Sequence, residues 1–247
     1  MATDEWRAVR RPPLGPHVAH VWRVRLDDAS RVEAYLPTLS IEERARADRF
    51  FREVHRRRYV IAHGALRRIL ADYVDVEPHG LGFVTGQHGK PALAPSAGAE
   101  SARVEFNLSH SGDLALVAVT RTTPVGVDVE QWDEGVECLE LAERFFSPQE
   151  RSALRALADA PHHVIAGFFA AWTRKEAYLK ATGHGIVRGL HHFDVTLAPG
   201  EPARLVADRL DRDATEQWTM TELAPAEGYS AALVVASPLE EVQCFAL

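Results

Sequence analysis

Apolar residues recur along the chain with two periods, one near 2.0 that predicts β-strands and one near 3.6 that predicts amphipathic helices. The predicted strands cover residues 20–26, 81–85, 103–108, 114–120, 124–130, 192–197, 203–207, 217–223 and 229–236. The predicted helices cover residues 40–73, 138–145, 147–159 and 162–182. The first helix is long for a globular protein, and we expect it to break near Gly64 because glycine weakens a helix interior.

The two halves of the chain share a crude order of elements. Each has an arginine-containing helix, a glycine-rich stretch and then strands that end in a run of Ala, Val and Leu, as at residues 114–119 and 231–236. This order predicts an α+β fold made of two similar units. We place the division between residues 1–122 and 123–247, and we expect residues 94–102 to form a flexible connector.

Composition excludes several classes of protein. The chain has 247 residues, of which 46% are hydrophobic and 26% charged, a balance typical of a globular protein and not of a disordered or collagen-like one. Its apolar runs are too short to span a bilayer, and its first residues lack the apolar core of a signal peptide. Cys138 and Cys244 lie far apart, as expected of two free thiols. We therefore expect a cytoplasmic protein with no membrane partner.

The number and placement of charged residues indicate which kinds of partner the chain can bind. The net charge of −7 argues against a protein that coats nucleic acid, although residues 44–58 hold seven arginines and two acids. That cluster is either an anion-binding surface or an ordinary solvated helix face. Among the 28 basic residues are only three lysines, Lys90, Lys175 and Lys180, which makes each a candidate for a place that needs a compact ammonium.

The strongest local motif is Val-Gly-Val-Asp-Val-Glu at residues 125–130. On a strand, alternate side chains point to opposite faces, so Asp128 and Glu130 share one face with Gly126 while the valines face a core. Two neighbouring carboxylates repel each other unless a cation lies between them, and Mg²⁺ prefers such oxygen ligands. The alternative is a half-exposed edge strand with two solvated acids.

A second motif, Trp-Thr-Arg-Lys-Glu-Ala-Tyr-Leu-Lys, occupies residues 172–180 of a predicted helix. Trp172, Glu176 and Lys180 are spaced by four residues and therefore lie along one stripe. A Glu–Lys pair at this spacing is also common on exposed helices. The bulky aromatic residues that begin the stripe favour a cleft instead.

Two further motifs could bind phosphate. Ser109 and His110 end a strand beside a glycine turn, where adjacent side chains point in opposite directions and a direct Ser–His relay is disfavoured. A hairpin histidine with a purely structural role is the alternative. Gly89, Lys90 and Pro91 form a turn that lets the backbone approach a ligand beside an ammonium, without the spacing of a P-loop.

Together these motifs supply the groups needed for a phosphoryl-type transfer, and they resemble those of a 4′-phosphopantetheinyl transferase of the two-repeat, surfactin-synthetase-activator type. The matching segments follow the family's order and have similar spacing. They are Gly-Lys-Pro at 89–91, Phe-Asn-Leu-Ser-His-Ser-Gly at 106–112, Gly-Val-Asp-Val-Glu at 126–130, Arg-Phe-Phe-Ser at 144–147 and the motif at 172–180.

The resemblance implies a fold and a reaction. The fold would be a pseudo-dimer of two α+β halves with the active site in the cleft between them. The enzyme would move the 4′-phosphopantetheine arm of coenzyme A to a serine of an apo acyl or peptidyl carrier protein, with Mg²⁺ or Mn²⁺, and release adenosine 3′,5′-bisphosphate. The carrier would belong to polyketide, nonribosomal peptide or fatty acid synthesis, and one chain would suffice as a monomer.

The resemblance also implies roles for individual residues. Asp128, Glu130 and Glu176 would hold the metal, and Asp128 would also lie against coenzyme A. Glu176, or a water held by the metal, would take the proton of the serine hydroxyl. Lys180 would neutralise charge on the pyrophosphate, and Lys175 would add positive potential.

Other residues would bind the nucleotide part of coenzyme A. By the resemblance they are Arg46, Arg58, Lys90, Pro91, Ser109 and His110. The sequence departs from the family at Glu43, where relatives often carry a base toward the 3′-phosphate, and Arg44 is a candidate substitute. Two other readings stay open: a Mg²⁺-dependent phosphohydrolase that uses the same acids, and a relative that binds carrier proteins without transfer.

Overall fold

The computed structural model describes residues 13–86, 89–95, 103–185 and 188–247, and it shows a mixed α+β chain, as predicted. Most of the predicted connector lies outside the described residues. The strands are β1 (Val18–Arg25), β2 (Phe83–Thr85), β3 (Pro91–Leu93), β4 (Val104–Ser111), β5 (Leu114–Arg121), β6 (Val125–Gln131), β7 (Phe193–Val195), β8 (Leu205–Asp208), β9 (Trp218–Leu223), β10 (Tyr229–Ala236) and β11 (Glu241–Ala246). The helices are α1 (Arg31–Tyr35), α2 (Ile41–Ala47), α3 (Glu53–Val74), α4 (Cys138–Phe145), α5 (Pro148–Arg155), α6 (Pro161–Thr182) and α7 (Ala214–Gln217).

Two larger sheets organise the described residues. The first has the strand order β11-β1-β5-β4, and the second has the order β6-β10-β9. Strands β1, β4 and β5 and strands β6, β9 and β10 therefore follow the same spatial order, first–third–second, with antiparallel neighbours. Strands β2–β3 and β7–β8 form small two-stranded ladders.

The C-terminal strand β11 crosses the division that we placed at residue 122. It pairs in parallel with β1, from Val18 opposite Glu241 to Arg23 opposite Ala246. The sequence pattern did not predict β11, because its apolar and polar residues do not alternate cleanly. The end of the chain thus belongs to the first sheet and ties the two halves together.

The first long helix does not break at Gly64, and this prediction was wrong. The break lies between α2 and α3, where Arg52 takes an extended backbone conformation, and Gly64 lies inside α3. A Cβ atom at Gly64 would lie 2.4 Å from the Cβ atom of Tyr35. The glycine therefore allows α1 to pack closely on α3.

Three apolar clusters hold these elements together. One lies between α3 and the first sheet, and a second surrounds α6 beside the second sheet. The third joins the opposite faces of both sheets and includes Val125, Val127 and Val129 of β6, all fully buried. This burial confirms that the valines of β6 face a core. The other members of the third cluster include Ala19, Val21, Leu116, Ala118, Leu233 and Cys244.

The ends of the helices carry residues that favour helix termini. Ser40 and Ser147 cap α2 and α5 in capping boxes with Glu43 and Glu150, and α6 ends at Gly183 with a positive φ of 71°. In the part of the chain that is described, no helix is long and apolar enough to cross a lipid bilayer.

Candidate active site

Helix α6 packs closely against strand β6 at Gly126. A Cβ atom there would lie 2.1 Å from the carbonyl oxygen of Ala177 and 2.4 Å from the amide nitrogen of Ala181. Only glycine fits so close to a helix backbone. The close approach brings Glu176 and Lys180, which flank this contact on α6, beside the acidic face of β6.

Asp128 lies at the centre of this junction and is only 3% exposed. Its Oδ1 atom accepts hydrogen bonds from the Lys180 ammonium at 2.6 Å and from the Ser109 hydroxyl at 2.8 Å. Its buried Oδ2 atom has no hydrogen-bond partner among the described residues. Burial raises the pKa of Asp128, and the contacts with Lys180 and Ser109 oppose this rise.

Two further carboxylates add negative charge. Burial, and then the charge of Asp128, raises the pKa of Glu130, which accepts a hydrogen bond from Ser111 at 2.7 Å. Burial and Asp128 also raise the pKa of Glu176, with a smaller contribution from Glu130. These three acids therefore interact through space, as a site for a cation requires. In the described arrangement, however, no three His, Cys, Asp or Glu side chains already form a set that could hold a metal ion.

Polar side chains of β4 link the two sheets at this site. The Asn107 side-chain oxygen accepts a hydrogen bond from the Val127 amide at 2.9 Å, and the Ser111 hydroxyl accepts one from the Gln131 amide at 3.1 Å. β4 and β6 belong to different sheets, so backbone hydrogen bonds of a common sheet do not join them. Asn107, Ser109 and Ser111 connect the two strands through their side chains instead. Our sequence analysis missed Asn107 and Ser111, although their alternation along residues 107–111 was a readable signal.

A pocket of about 450 Å³ opens beside the acids and takes its lining from both halves of the chain. The lining residues are Gly89, Lys90, Pro91, Asn107, Glu176, Leu179, Lys180, Gly183, His184 and Gly185. The Lys90 ammonium donates a hydrogen bond to the Val125 carbonyl at 2.9 Å, and burial lowers the pKa of Lys90. The structure thus brings Lys90 and Pro91 together with Glu176 and Lys180.

The other predicted nucleotide-binding residues lie on the first half. Arg58 of α3 pairs with Asp113 in the β4–β5 turn at 2.8 Å, and the Arg46 guanidinium lies over the Tyr59 ring at 5.4 Å. Desolvation, followed by the charges of His63, Lys180 and Arg58, lowers the pKa of His110. His110 therefore lies in a positive electrostatic environment that suits an anion.

Lys175 does not face the pocket, and the prediction that it contributes to coenzyme A binding was wrong. Its side chain is fully buried, pairs with Glu150 at 2.8 Å and donates to the carbonyls of Leu190 and Phe193 at 2.8 and 2.6 Å. Consecutive helical residues point about 100° apart, so Lys175 and Glu176 cannot serve the same side of α6. Lys175 anchors the helix instead.

The aromatic residues at the start of the α6 stripe pack in the core beside α4. Trp172 contacts Phe168 and Phe145 with ring centroids 5.8 Å apart, within the cluster that packs α6 on α4. These rings belong to the core and do not line the pocket. Glu176 and Lys180, further along the same stripe, do line the pocket, which confirms that this charged pair lies in a cleft and not on an open helix face.

Glu43, the position at which the sequence departs from the resemblance, forms an internal ion pair. Glu43 pairs with Arg67 at 2.6 Å and lies 3.6 Å from His63. Burial would raise the pKa of Glu43, but hydrogen bonds from His63, the Ser40 amide and Arg67 outweigh it and lower the pKa to about 2. Arg44 donates to the carbonyls of Leu39 and Pro37, so it is not the substitute base that we considered.

Comparison with known sequences agrees with the motifs. The profile of the 4′-phosphopantetheinyl transferase superfamily matches residues 124–234, and that of the 4′-phosphopantetheinyl transferase N-terminal region matches residues 22–122. The 4′-phosphopantetheinyl transferase HetI of Nostoc sp. is 43% identical over 88% of this chain and 87% of its own length. The 4′-phosphopantetheinyl transferase psf-1 of Bacillus pumilus is 35% identical over 73% and 74%, and Sfp of Bacillus subtilis is 29% identical over 67% and 69%.

The chain therefore belongs to the 4′-phosphopantetheinyl transferase superfamily. The match extends to the surfactin-synthetase-activator type that the motifs indicated, and it confirms the predicted enzyme class. The two matched regions meet near residue 123.

Proposed function

We propose that this chain transfers the 4′-phosphopantetheine arm of coenzyme A to a serine of an apo acyl or peptidyl carrier protein and releases adenosine 3′,5′-bisphosphate. One observation carries the proposal: no group among the described residues bonds the buried Oδ2 atom of Asp128, while its Oδ1 atom bonds Lys180 at the edge of the pocket. A buried carboxylate with a free oxygen is costly unless a ligand completes it. A phosphate-bound cation is such a ligand.

We also propose that the two halves are a pseudo-dimer with the active site between them. The shared strand order and the two 22-residue helices, α3 and α6, support a duplicated unit. The pocket takes Lys90 from one half and Glu176 from the other, so a single chain would be sufficient as a monomer. Crossing of β11 into the first sheet would hold the halves in a fixed relation.

Asp128, Glu130 and Glu176 would hold Mg²⁺ in this site, with Mn²⁺ as a possible replacement. The free Oδ2 atom of Asp128 and the mutual rise in carboxylate pKa both fit a hard divalent cation. When bound, the cation would neutralise charge on the pyrophosphate of coenzyme A. Lys90, Pro91, Ser109, His110, Arg46 and Arg58 would hold the nucleotide part.

The chemical step would use Glu176 and Lys180. The serine oxygen of the carrier attacks the phosphorus that bears the pantetheine arm, and the bond from this phosphorus to the bridging oxygen breaks. Glu176, which lines the pocket, takes the hydroxyl proton. The Lys180 ammonium stabilises the negative charge that develops on the departing bisphosphate.

Intact-mass spectrometry of apo carrier proteins tests the proposal directly. The purified chain is mixed with coenzyme A, Mg²⁺ and carriers from polyketide, nonribosomal peptide and fatty acid synthesis, with a chelator as control. We expect one phosphopantetheine arm to be added to a carrier, and only when the metal is present. Consumption of coenzyme A without any modified carrier would instead support the phosphohydrolase, and binding without either reaction would support the non-catalytic relative.

A further inference from the structure

The bend between α2 and α3 carries an exposed apolar surface. We define the α2–α3 bend as residues 48–52, and within it the Phe51 side chain is fully exposed, at 101% of its reference area. Ile41, at the start of α2, is 81% exposed. A lone exposed apolar residue is ordinary, but an aromatic side chain fully in water gains nothing for the folded chain.

Two arginines of the bend also lack internal roles. Arg49 and Arg52 are exposed, and their side chains have no hydrogen-bond or ion-pair partner among the residues that the structure describes. Nearby, Arg57 donates to the Leu26 carbonyl and Arg58 pairs with Asp113. Asp48, the acid of the bend, pairs with Arg56 at 3.5 Å, so the bend presents two unpaired cations on a chain whose net charge is −7.

The bend lies beside the candidate active site. The ring of Phe50 packs on Tyr59 at 5.3 Å, and Tyr59 packs on His63 at 4.1 Å. The guanidinium of Arg46, a residue expected to bind the nucleotide, lies over the same Tyr59 ring at 5.4 Å. Side chains in contact thus lead from the bend to a residue of the expected nucleotide site.

We propose that the α2–α3 bend is a docking surface for the carrier protein, through a carrier face that combines acidic side chains with an apolar contact for Phe51. The inference rests on the proposed transfer reaction, which needs a protein substrate at the rim of the site. Charge complementarity identifies the occupant, because two unpaired guanidinium groups select an acidic surface and accelerate its approach. Phe51 supplies the apolar anchor that arginines alone lack.

Steady-state kinetics with an acidic apo carrier tests the proposal. We expect Phe51→Ser and the double variant Arg49→Glu/Arg52→Glu each to raise the KM for the carrier by about tenfold or more. The KM for coenzyme A and the kcat at saturating carrier should stay within about twofold of wild type. The effect of the arginine variant should shrink as salt rises, since salt screens exposed charges.

The start of strand β8 offers a matched control, because exposed Arg204, just before the strand, and exposed Val206 within it combine the same two side-chain types away from the pocket. Arg204→Glu and Val206→Ser should leave the KM for the carrier unchanged. A carrier with acidic residues replaced by lysine should restore activity with the Arg49→Glu/Arg52→Glu variant, which a folding defect would not allow.

The outcomes separate this inference from the reaction itself. If the wild-type chain modifies no carrier, the proposed function fails. If it modifies carriers and the bend variants match the β8 controls, the docking surface is wrong. A change of oligomeric state in the bend variants would assign the surface to contact between copies of the chain and would also overturn the proposal.

Discussion

The Lys180 ammonium lies 2.6 Å from Asp128 Oδ1 and 3.0 Å from the Ser109 hydroxyl. It also donates to the Val127 carbonyl at 3.3 Å, so helix α6, strand β4 and strand β6 meet at one cation. One oxygen of the Asp128 carboxylate is therefore hydrogen-bonded, while its Oδ2 atom has no partner in the part of the chain that the structure describes. A metal ion that binds Asp128 must share the carboxylate with Lys180 or displace it.

This relationship predicts that Lys180 opposes metal binding while it supports transfer. Lys180→Met should bind Mn²⁺ about tenfold more tightly than wild type when coenzyme A is absent, because a competing charge is removed. Transfer should fall at least about 100-fold, because charge on the departing bisphosphate is no longer neutralised. Calorimetric titration with Mn²⁺ measures the first effect.

Lys180→Arg is the control for charge. It keeps the cation, so metal affinity should not increase, but a planar guanidinium does not replace a compact ammonium and transfer should still fall. Equal or weaker Mn²⁺ binding by Lys180→Met would show that Lys180 does not compete with the metal.

Glu176 should matter for activity and not for stability. Glu176→Gln should lower kcat by about 10²- to 10⁴-fold, the usual contribution of a positioned proton acceptor. The free energy of unfolding should not decrease, because the substitution removes one of three carboxylates whose charges repel one another. Urea unfolding and initial rates measure the two quantities, with exposed Glu216→Gln as control. Wild-type activity of Glu176→Gln would remove it from the mechanism.

Gly126 should be intolerant of any side chain. Gly126→Ala places a methyl group 2.1 Å from the Ala177 carbonyl oxygen, so α6 must move away from β6. We expect a loss of stability of about 2 kcal/mol or more and a larger proportional loss of transfer, because Glu176 and Lys180 move with the helix. Gly80→Ala is the matched control, since its new methyl would meet only Val76 at an ordinary 3.6 Å. Similar melting temperatures for the two variants would contradict this account.

Substitution of Lys175 should lower stability and leave the KM for coenzyme A unchanged, whereas substitution of Lys90 should mainly raise this KM. Lys175→Met leaves buried Glu150 without its cation and should cost about 3–5 kcal/mol of stability, whereas the KM for coenzyme A of the folded enzyme stays unchanged. Lys90→Met should raise this KM with a smaller loss of stability. Thermal unfolding and coenzyme A saturation curves, run on both variants, test the assignment. An unaltered unfolding free energy in Lys175→Met would show that Lys175 does not anchor α6 through Glu150.

Local sequence patterns predicted the elements of the site better than their partners. The alternation along β6 correctly placed the valines of this strand in a core, and the spacing along α6 placed Glu176 and Lys180 on one stripe. Only the resemblance to a family joined these two elements, because periodicity does not show which helix packs on which strand. The structure supplies the reason for this packing, which is the missing side chain at Gly126.

Errors arose where tertiary contacts decide the outcome. The rarity of lysine in the chain favours a pocket role for Lys175. Its ammonium instead forms a buried ion pair with Glu150, which is distant in sequence. Strand β11 forms because it can pair with the edge of β1. Its apolar and polar residues do not alternate, so the sequence pattern does not predict this pairing. In the same way, Gly64 serves the contact with Tyr35 and not a helix break.

A buried histidine should make the stability of the fold depend on pH. His20 of β1 is fully buried, with its ring 2.7 Å from the Tyr73 hydroxyl, and desolvation lowers the pKa of His20 to about 4. In the unfolded chain the same group takes up a proton near its ordinary pKa of about 6.5. Between these two values the unfolded state binds the proton and the folded state does not, so stability falls as the pH is lowered from 6.5 to 4.

The contribution of His20 to this fall can be isolated by substitution. The unfolding free energy of wild type relative to His20→Gln should be constant above pH 7 and should drop by about 1.4 kcal/mol per pH unit between pH 6 and 4.5. Urea denaturation at half-unit intervals measures the difference, in which titrations common to both proteins cancel. Parallel curves would mean that the folded protein accepts the proton on His20 as readily as the unfolded chain does, and that the core around Tyr73 admits its charge.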